Sequence, residues 1–221
     1  MKILIVAATD LELNPILRSF SKLSRNKFEY GGHLLEVLQT GVGMMATSYH
    51  LGRTLHHHQY DLALNLGICG AFDRSIELSE VVLVESDVAI EEGAEDGEDW
   101  ISLEDMGLRG KDEFPYSNGL LKASVPNQLK DALNYKKVKA ISVNRVLGNS
   151  SSIQKMHSYY PAEIESMEGA AVFYSCSMAK VDCIQLRAVS NYVENRNKEE
   201  WQIEEALTNL ADATLKLLEN V

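Results

Sequence analysis

Short apolar runs recur along the chain at Ile3 to Ala8, Leu62 to Leu66, Val81 to Val84, Val138 to Val143 and Cys183 to Val189. Runs of that length read as buried strands, and between them the apolar positions take helical spacing. Leu13, Ile16, Leu17 and Phe20 mark one helix, and a second is expected from Gly43 to the His56-His57-His58 region. Val37 and Leu38 end a hairpin turned at Gly31-Gly32. The last helix is expected to begin at the capping pattern Asn197-x-x-Glu200, with Ile203, Leu207, Leu210 and Leu217 on one face. Strands mixed with helices, without repeats or low-complexity segments, point to an α/β class, a three-layer α/β/α sandwich with a mixed central sheet. The pattern does not supply the strand order. A chain of 221 residues with 45% hydrophobic content can bury a substantial core. Residues 1–221 are therefore expected to form a single domain with one principal site.

Composition narrows the function classes. Cys69, Cys176 and Cys183 are an odd number with no close-spaced pair, which argues against a disulfide framework and a zinc site and fits a reducing cytoplasm. The run Ile3 to Ala8 is too short for a signal-peptide core, and Lys180 and Asp182 interrupt the apolar stretch around Cys176. Neither export nor membrane insertion is expected. A net charge of -11 disfavours nucleic acid, which needs a basic footprint to replace its counterions. Twelve acids between Glu85 and Glu113 face only Arg109 and Lys111, so nearly the whole excess sits in one segment. Its four glycines and lack of periodicity read as a long solvated excursion with apolar anchors such as Trp100 and Phe114, either a surface loop or a substrate cover. Consecutive histidines lie about 100° apart on a helix, so His56-His57-His58 make no common ligand face. No metal and no organic cofactor are expected.

Three polar positions stand at strand ends or helix entrances, where ligands collect in α/β sheets. Thr9-Asp10-Leu11-Glu12 fits a capping box, yet the same Glu12 carboxylate can act as a general base. Glu168 is a favourable negative charge at a helix start and also a strong acceptor for hydroxyl groups. Asn191, in Ser190-Asn191-Tyr192-Val193, is either a turn former or a side chain presenting a donor and an acceptor together. The turns Gly41-Val42-Gly43 and Gly67-Ile68-Cys69-Gly70 have no adjacent Arg or Lys to hold an inorganic phosphate.

Glu165-Ser166-Met167-Glu168-Gly169-Ala170-Ala171, then Arg187-Ala188-Val189-Ser190-Asn191, together with Glu12, resembles the nucleosidase branch of the nucleoside phosphorylase family. The continuation through Tyr192 and Val193 to Arg196 and Trp201 is similar to the futalosine hydrolases of bacterial menaquinone biosynthesis, and the likeness runs from Met1 to about Leu218. The resemblance implies a small-molecule nucleoside as the partner, with Glu12 activating water for attack at the anomeric carbon and Glu168 accepting from the ribose hydroxyls. It places Met167 on the ribose face and Val146 and Leu147 against the purine. Adenine-specific members carry an aspartate where this chain has Asn191, so the amide is expected to donate to a 6-oxo group and accept from a protonated N7. Futalosine also carries a carboxyphenyl group, which Trp201 can stack on and Arg196 can pair with. The products would be hypoxanthine and dehypoxanthine futalosine, and a homodimer or larger homo-oligomer is expected. A methylthioadenosine or adenosylhomocysteine nucleosidase, and a non-catalytic nucleoside-binding protein on the same fold, remain as alternatives.

Overall fold

The computed structural model describes residues 1–130 and 133–221. In chain order its elements are β1 (Lys2–Ala7), α1 (Asp10–Leu17), β2 (Ser21–Lys22), β3 (Lys27–Tyr30), β4 (His33–Gln39), α2 (Met44–His57), β5 (Leu62–Ala71), β6 (Val81–Ala89), β7 (Gly93–Asp96) and β8 (Asp99–Ser102). They continue with β9 (Leu121–Lys122), β10 (Lys136–Ser142), α3 (Ser150–Tyr159), β11 (Ile164–Ser166), α4 (Gly169–Ala179), β12 (Asp182–Tyr192) and α5 (Ile203–Leu218).

The main sheet runs β11-β10-β6-β12-β5-β1-β4-β3-β2, with β9 attached to β6. It is mixed: β1 pairs parallel with β4 and β5, while β12 lies parallel to β5 and antiparallel to β6. The β3–β4 hairpin turns at Gly31 and Gly32, both at positive φ, the backbone that a two-residue hairpin turn demands. Period-two alternation divides the core between two faces. Ile3, Ile5, Leu62, Leu64, Ile184 and Leu186 point toward α1 and α5, whereas Leu4, Val6, Ala63, Cys183 and Val189 point toward α2 and α4. That arrangement is the helix–sheet–helix sandwich.

One end of the sheet also closes. β11 pairs parallel with β10 and antiparallel with β5, at Ile164↔Ala71 and Glu165↔Gly70, so β5, β12, β6, β10 and β11 form a ring. Closure carries Ser166-Met167-Glu168 back alongside the second half of β5. The two parts of the site, nearly a hundred residues apart in sequence, meet for that reason.

Several boundaries differ from the sequence reading. Gly67-Ile68-Cys69-Gly70 is not a turn but the continuation of β5, and Ser190-Asn191 belongs to β12, because these segments pair with each other as far as Tyr192↔Ala71. Asn197 caps a single 3-10 turn over Lys198–Glu200, and α5 starts only at Ile203. Trp201 and Gln202 stay non-helical between them, where the Gln202 amide donates to the Ser190 carbonyl at 2.8 Å. The acidic segment is not a bare loop. Its start lies in β6, Asp87 is completely buried, and β7 and β8 form a hairpin. Trp100 is half-buried, as an anchor should be, whereas Phe114 is 65% exposed and anchors nothing. No described helix is long and apolar enough to cross a membrane, and all three cysteines are buried and free.

Candidate active site

A cavity of about 910 Å³ opens where β1 and β12 end and α4 begins. That volume suits a small-molecule ligand. Glu12, Val146, Leu147, Met167, Glu168, Asn191, Arg196 and Trp201 all line it. The eight residues picked from sequence therefore share one cavity.

Glu12 caps its helix while part of its carboxylate still faces the cavity. It is the third residue of α1, and its Oε2 accepts from the Thr9 amide at 3.0 Å, the Ala8 amide at 3.1 Å and the Thr9 hydroxyl at 3.1 Å. The capping box fixes the carboxylate in one orientation. Its other oxygen, Oε1, accepts only a 3.3 Å bond from the Ile68 amide and keeps acceptor capacity toward the cavity. Burial raises the Glu12 pKa most strongly, the Arg187 charge opposes that rise, and the Glu168 charge adds to it. Desolvation and the neighbouring carboxylate both disfavour the charged form, and together they outweigh the guanidinium. Gly67 makes the approach possible, since a Cβ there would lie 2.7 Å from Glu12 Oε1 and closer still to an Arg187 nitrogen.

Arg187 is 1% exposed and stands in β12 between Leu186 and Ala188. Its guanidinium donates to Asn65 Oδ1 and to Gln185 Oε1, and Gln185 in turn donates to the Gly169 carbonyl at 2.9 Å. The Ser142 hydroxyl donates to Asp87 at 3.0 Å and accepts from the Ala170 amide at 2.8 Å. Burial pushes the Asp87 carboxyl up to about 7. This polar layer lies between the sheet and the start of α4, and Gly169 is required there because a Cβ would collide with Asp87 and Gln185. The result is a firmly seated helix start. Glu168, the residue preceding α4, is 7% exposed and accepts from the Gly43 amide at 2.8 Å, which ties the start of α4 to the start of α2.

Asn191 sits just past a bulge in β12, where Val189 pairs with Cys69 and Asn191 with Gly70. The bulge re-aims the side chain. Its Oδ1 accepts from the Ser190 hydroxyl at 2.8 Å and its Nδ2 donates to the Tyr192 carbonyl at 2.9 Å, so one acceptor site and one hydrogen remain. Trp201 and Arg196 close the far side, the guanidinium 5.3 Å from the ring centroid.

A desolvated carboxylate, a second carboxylate near it and a carboxamide at the same cavity can together accept a proton, hold hydroxyl groups and grip a heterocycle. The sequence model of the phosphorylase superfamily matches residues 2–221. The chain belongs to that superfamily. A futalosine hydrolase of Thermus thermophilus is 29% identical over 184 residues, covering 82% of this chain and 80% of that protein. Among solved structures, futalosine hydrolase of Helicobacter pylori superimposes with a TM-score of 0.82 at 17% identity, covering 100% of this chain and 98% of that one. A 5′-methylthioadenosine/S-adenosylhomocysteine nucleosidase of Streptococcus pneumoniae, solved with a transition-state inhibitor, gives 0.80 at 18% identity, covering 99% of both chains. At those identities the two structures speak for the superfamily's fold alone.

Two charged residues at or behind the cavity escaped the sequence reading. Arg187 was visible only as part of a motif, although a cation inside an otherwise apolar strand run is itself a signal of a paired or functional charge. Arg74 follows β5, lines the cavity, pairs with Glu194 and lies 4.6 Å from the Tyr192 ring centroid. Nothing local in its sequence marks it. Arg53, the one cation near the Gly41–Gly43 turn in sequence, lines a separate cavity with His57 and His58. All three histidines of the triple are exposed.

Proposed function

We propose that this protein hydrolyses the N-glycosidic bond of futalosine, releasing hypoxanthine and dehypoxanthine futalosine, as a cytoplasmic step of menaquinone biosynthesis. The observation that carries the reading is Asn191, an amide with one free donor and one free acceptor at the wall that also holds Glu12 and Glu168. Glu12 takes a proton from the attacking water, and Glu168 accepts from the ribose hydroxyls while Met167 packs on the sugar. The leaving base, held by Val146 and Leu147, donates from a protonated N7 to Asn191 Oδ1 and accepts at O6 from Nδ2. Arg196 pairs with the substrate carboxylate and Trp201 stacks on its ring. The futalosine hydrolase names of the relatives support this assignment. Met45, Tyr49 and Met178 expose apolar surface on α2 and α4, which supports a homo-oligomer.

The test is incubation of the purified chain with futalosine, aminodeoxyfutalosine, inosine and methylthioadenosine, with and without phosphate. Futalosine should be the best substrate, with a free sugar as product and no phosphate requirement. A strict need for phosphate with a sugar 1-phosphate as product would make it a phosphorylase. Preference for methylthioadenosine would establish the methylthioadenosine/adenosylhomocysteine reading instead.

Asn191→Asp should lower the ratio of kcat/KM for futalosine to that for aminodeoxyfutalosine. A carboxylate facing O6 sets acceptor against acceptor, at a cost of about 1–3 kcal/mol, whereas a 6-amino group donates to it. An unchanged ratio would show that Asn191 does not read position 6.

A further inference from the structure

Glu165 is 4% exposed, lines the cavity and has no part in the chemistry above. Both of its oxygens share a single donor, the Leu147 amide, at 3.3 and 3.4 Å. These are long bonds, and an ionised carboxylate can accept about four. Glu12, of similar burial, accepts four bonds. The unmet acceptor capacity of Glu165 therefore stands at the cavity wall, beside the segment assigned to the purine.

Its position relative to Asn191 is set by the sheet. Glu165 pairs with Gly70 on one side of β5 and Asn191 pairs with Gly70 on the other. A Cβ on Gly70 would lie 3.4 Å from Glu165 Cγ and 3.4 Å from Asn191 Nδ2, so the carboxylate stem and the amide flank one point. A 6-oxopurine presents an acceptor, O6, next to a donor, N1–H. A 6-aminopurine presents the reverse, a donor next to a bare N1 acceptor.

We infer that Glu165 is a second reader of the base, its carboxylate accepting N1–H while the neighbouring Asn191 amide donates to O6. The inference rests on the 6-oxopurine reading of the site and extends it to a position where an unsubstituted N1 in an adenine would meet acceptor against acceptor. Protonated Glu165 reverses the preference, because its O–H can donate to the adenine N1. Burial pushes this carboxyl up to about 7, and the facing Glu91 carboxylate adds to the rise. The buried Cys69 thiol on β5 faces it as well. Selection for the 6-oxo base should therefore strengthen as pH rises through neutrality, as Glu165 ionises.

The experiment measures inhibition by free hypoxanthine and free adenine, using wild type, Glu165→Gln and Glu165→Asp, from about one pH unit below 7 to one above. Neither base changes charge over that range. In wild type the hypoxanthine-to-adenine affinity ratio should rise with pH. Glu165→Gln keeps an acceptor for the Leu147 amide but cannot ionise, so the ratio should flatten and hypoxanthine binding weaken about tenfold. Glu165→Asp keeps the charge and should retain the pH dependence. Equal weakening of both bases, or a Glu165→Gln ratio as pH-dependent as wild type, would reduce Glu165 to a support for the Leu147 loop and overturn the inference. Futalosine turnover is followed in the same preparations, so a wild type that reads the bases as described but leaves futalosine intact would sink the futalosine assignment and leave Glu165 standing.

Discussion

Glu12→Gln should lower kcat by about 10²-fold or more, the range lost with a general base, while the protein remains folded. The amide oxygen of Gln can replace Oε2 and go on accepting from the Ala8 and Thr9 amides, so the start of α1 keeps its cap. The amide NH₂ would instead face the Ile68 amide, donor against donor, a local stability cost of about 1–3 kcal/mol. What is lost outright is the proton acceptor. The pH profile supplies a second check with a definite sign. In the proposed base role Glu12 must be ionised, and burial raises its pKa above that of a free glutamate, so kcat should fall on the acid side closer to neutrality than a free carboxylate would predict. That acid limb should vanish in Glu12→Gln, with thermal unfolding measured alongside to confirm the fold. Near-native turnover in the variant would remove Glu12 from the base role.

Glu168→Gln should reduce kcat/KM by about 10-fold to 10²-fold, the worth of one to two charge-assisted hydrogen bonds. Gln can still accept from the Gly43 amide, so the tie between the starts of α4 and α2 persists. The ribose hydroxyls lose an ionised acceptor and meet an NH₂ in its place. A substrate lacking the 2′-hydroxyl discriminates between contact and scaffold. If Glu168 binds the sugar, the variant should be penalised much less on the 2′-deoxy nucleoside than on the ribonucleoside. An equal penalty on both would place its importance in seating α4 and not in contact with substrate.

Local chemistry made much of this molecule legible. The capping box at Thr9 to Glu12 is written in four consecutive residues and forms as written, because its hydrogen bonds span only three positions. The Gly31-Gly32 turn and the helix after Gly43 are equally local, and both follow from backbone geometry that glycine alone adopts without strain. Failures occurred where a long-range partner overrode a local signal. Gly67 to Gly70 has turn composition but is held extended by β12, and Asn197 to Glu200 has a capping pattern but yields one 3-10 turn, since Gln202 is drawn to the Ser190 carbonyl.

The same division runs through the site. Residue types at Glu12, Glu168 and Asn191 expressed what chemistry is available, since an acceptor or an amide is a property of the side chain alone. The strand–helix alternation, the cap that orients Glu12 and the donor–acceptor inventory at the site thus follow from local residue chemistry. No local signal places Glu165 and Asn191 on either side of Gly70, buries Arg187 behind Glu12, or takes Asp87 out of a solvated run into the interior. Those facts depend on the closure of β11 onto β5 and on the bulge at Ser190, both set by pairing between residues far apart in the chain. Hydrogen-bond capacity belongs to a residue, whereas burial, proximity and a shifted pKa belong to its neighbours.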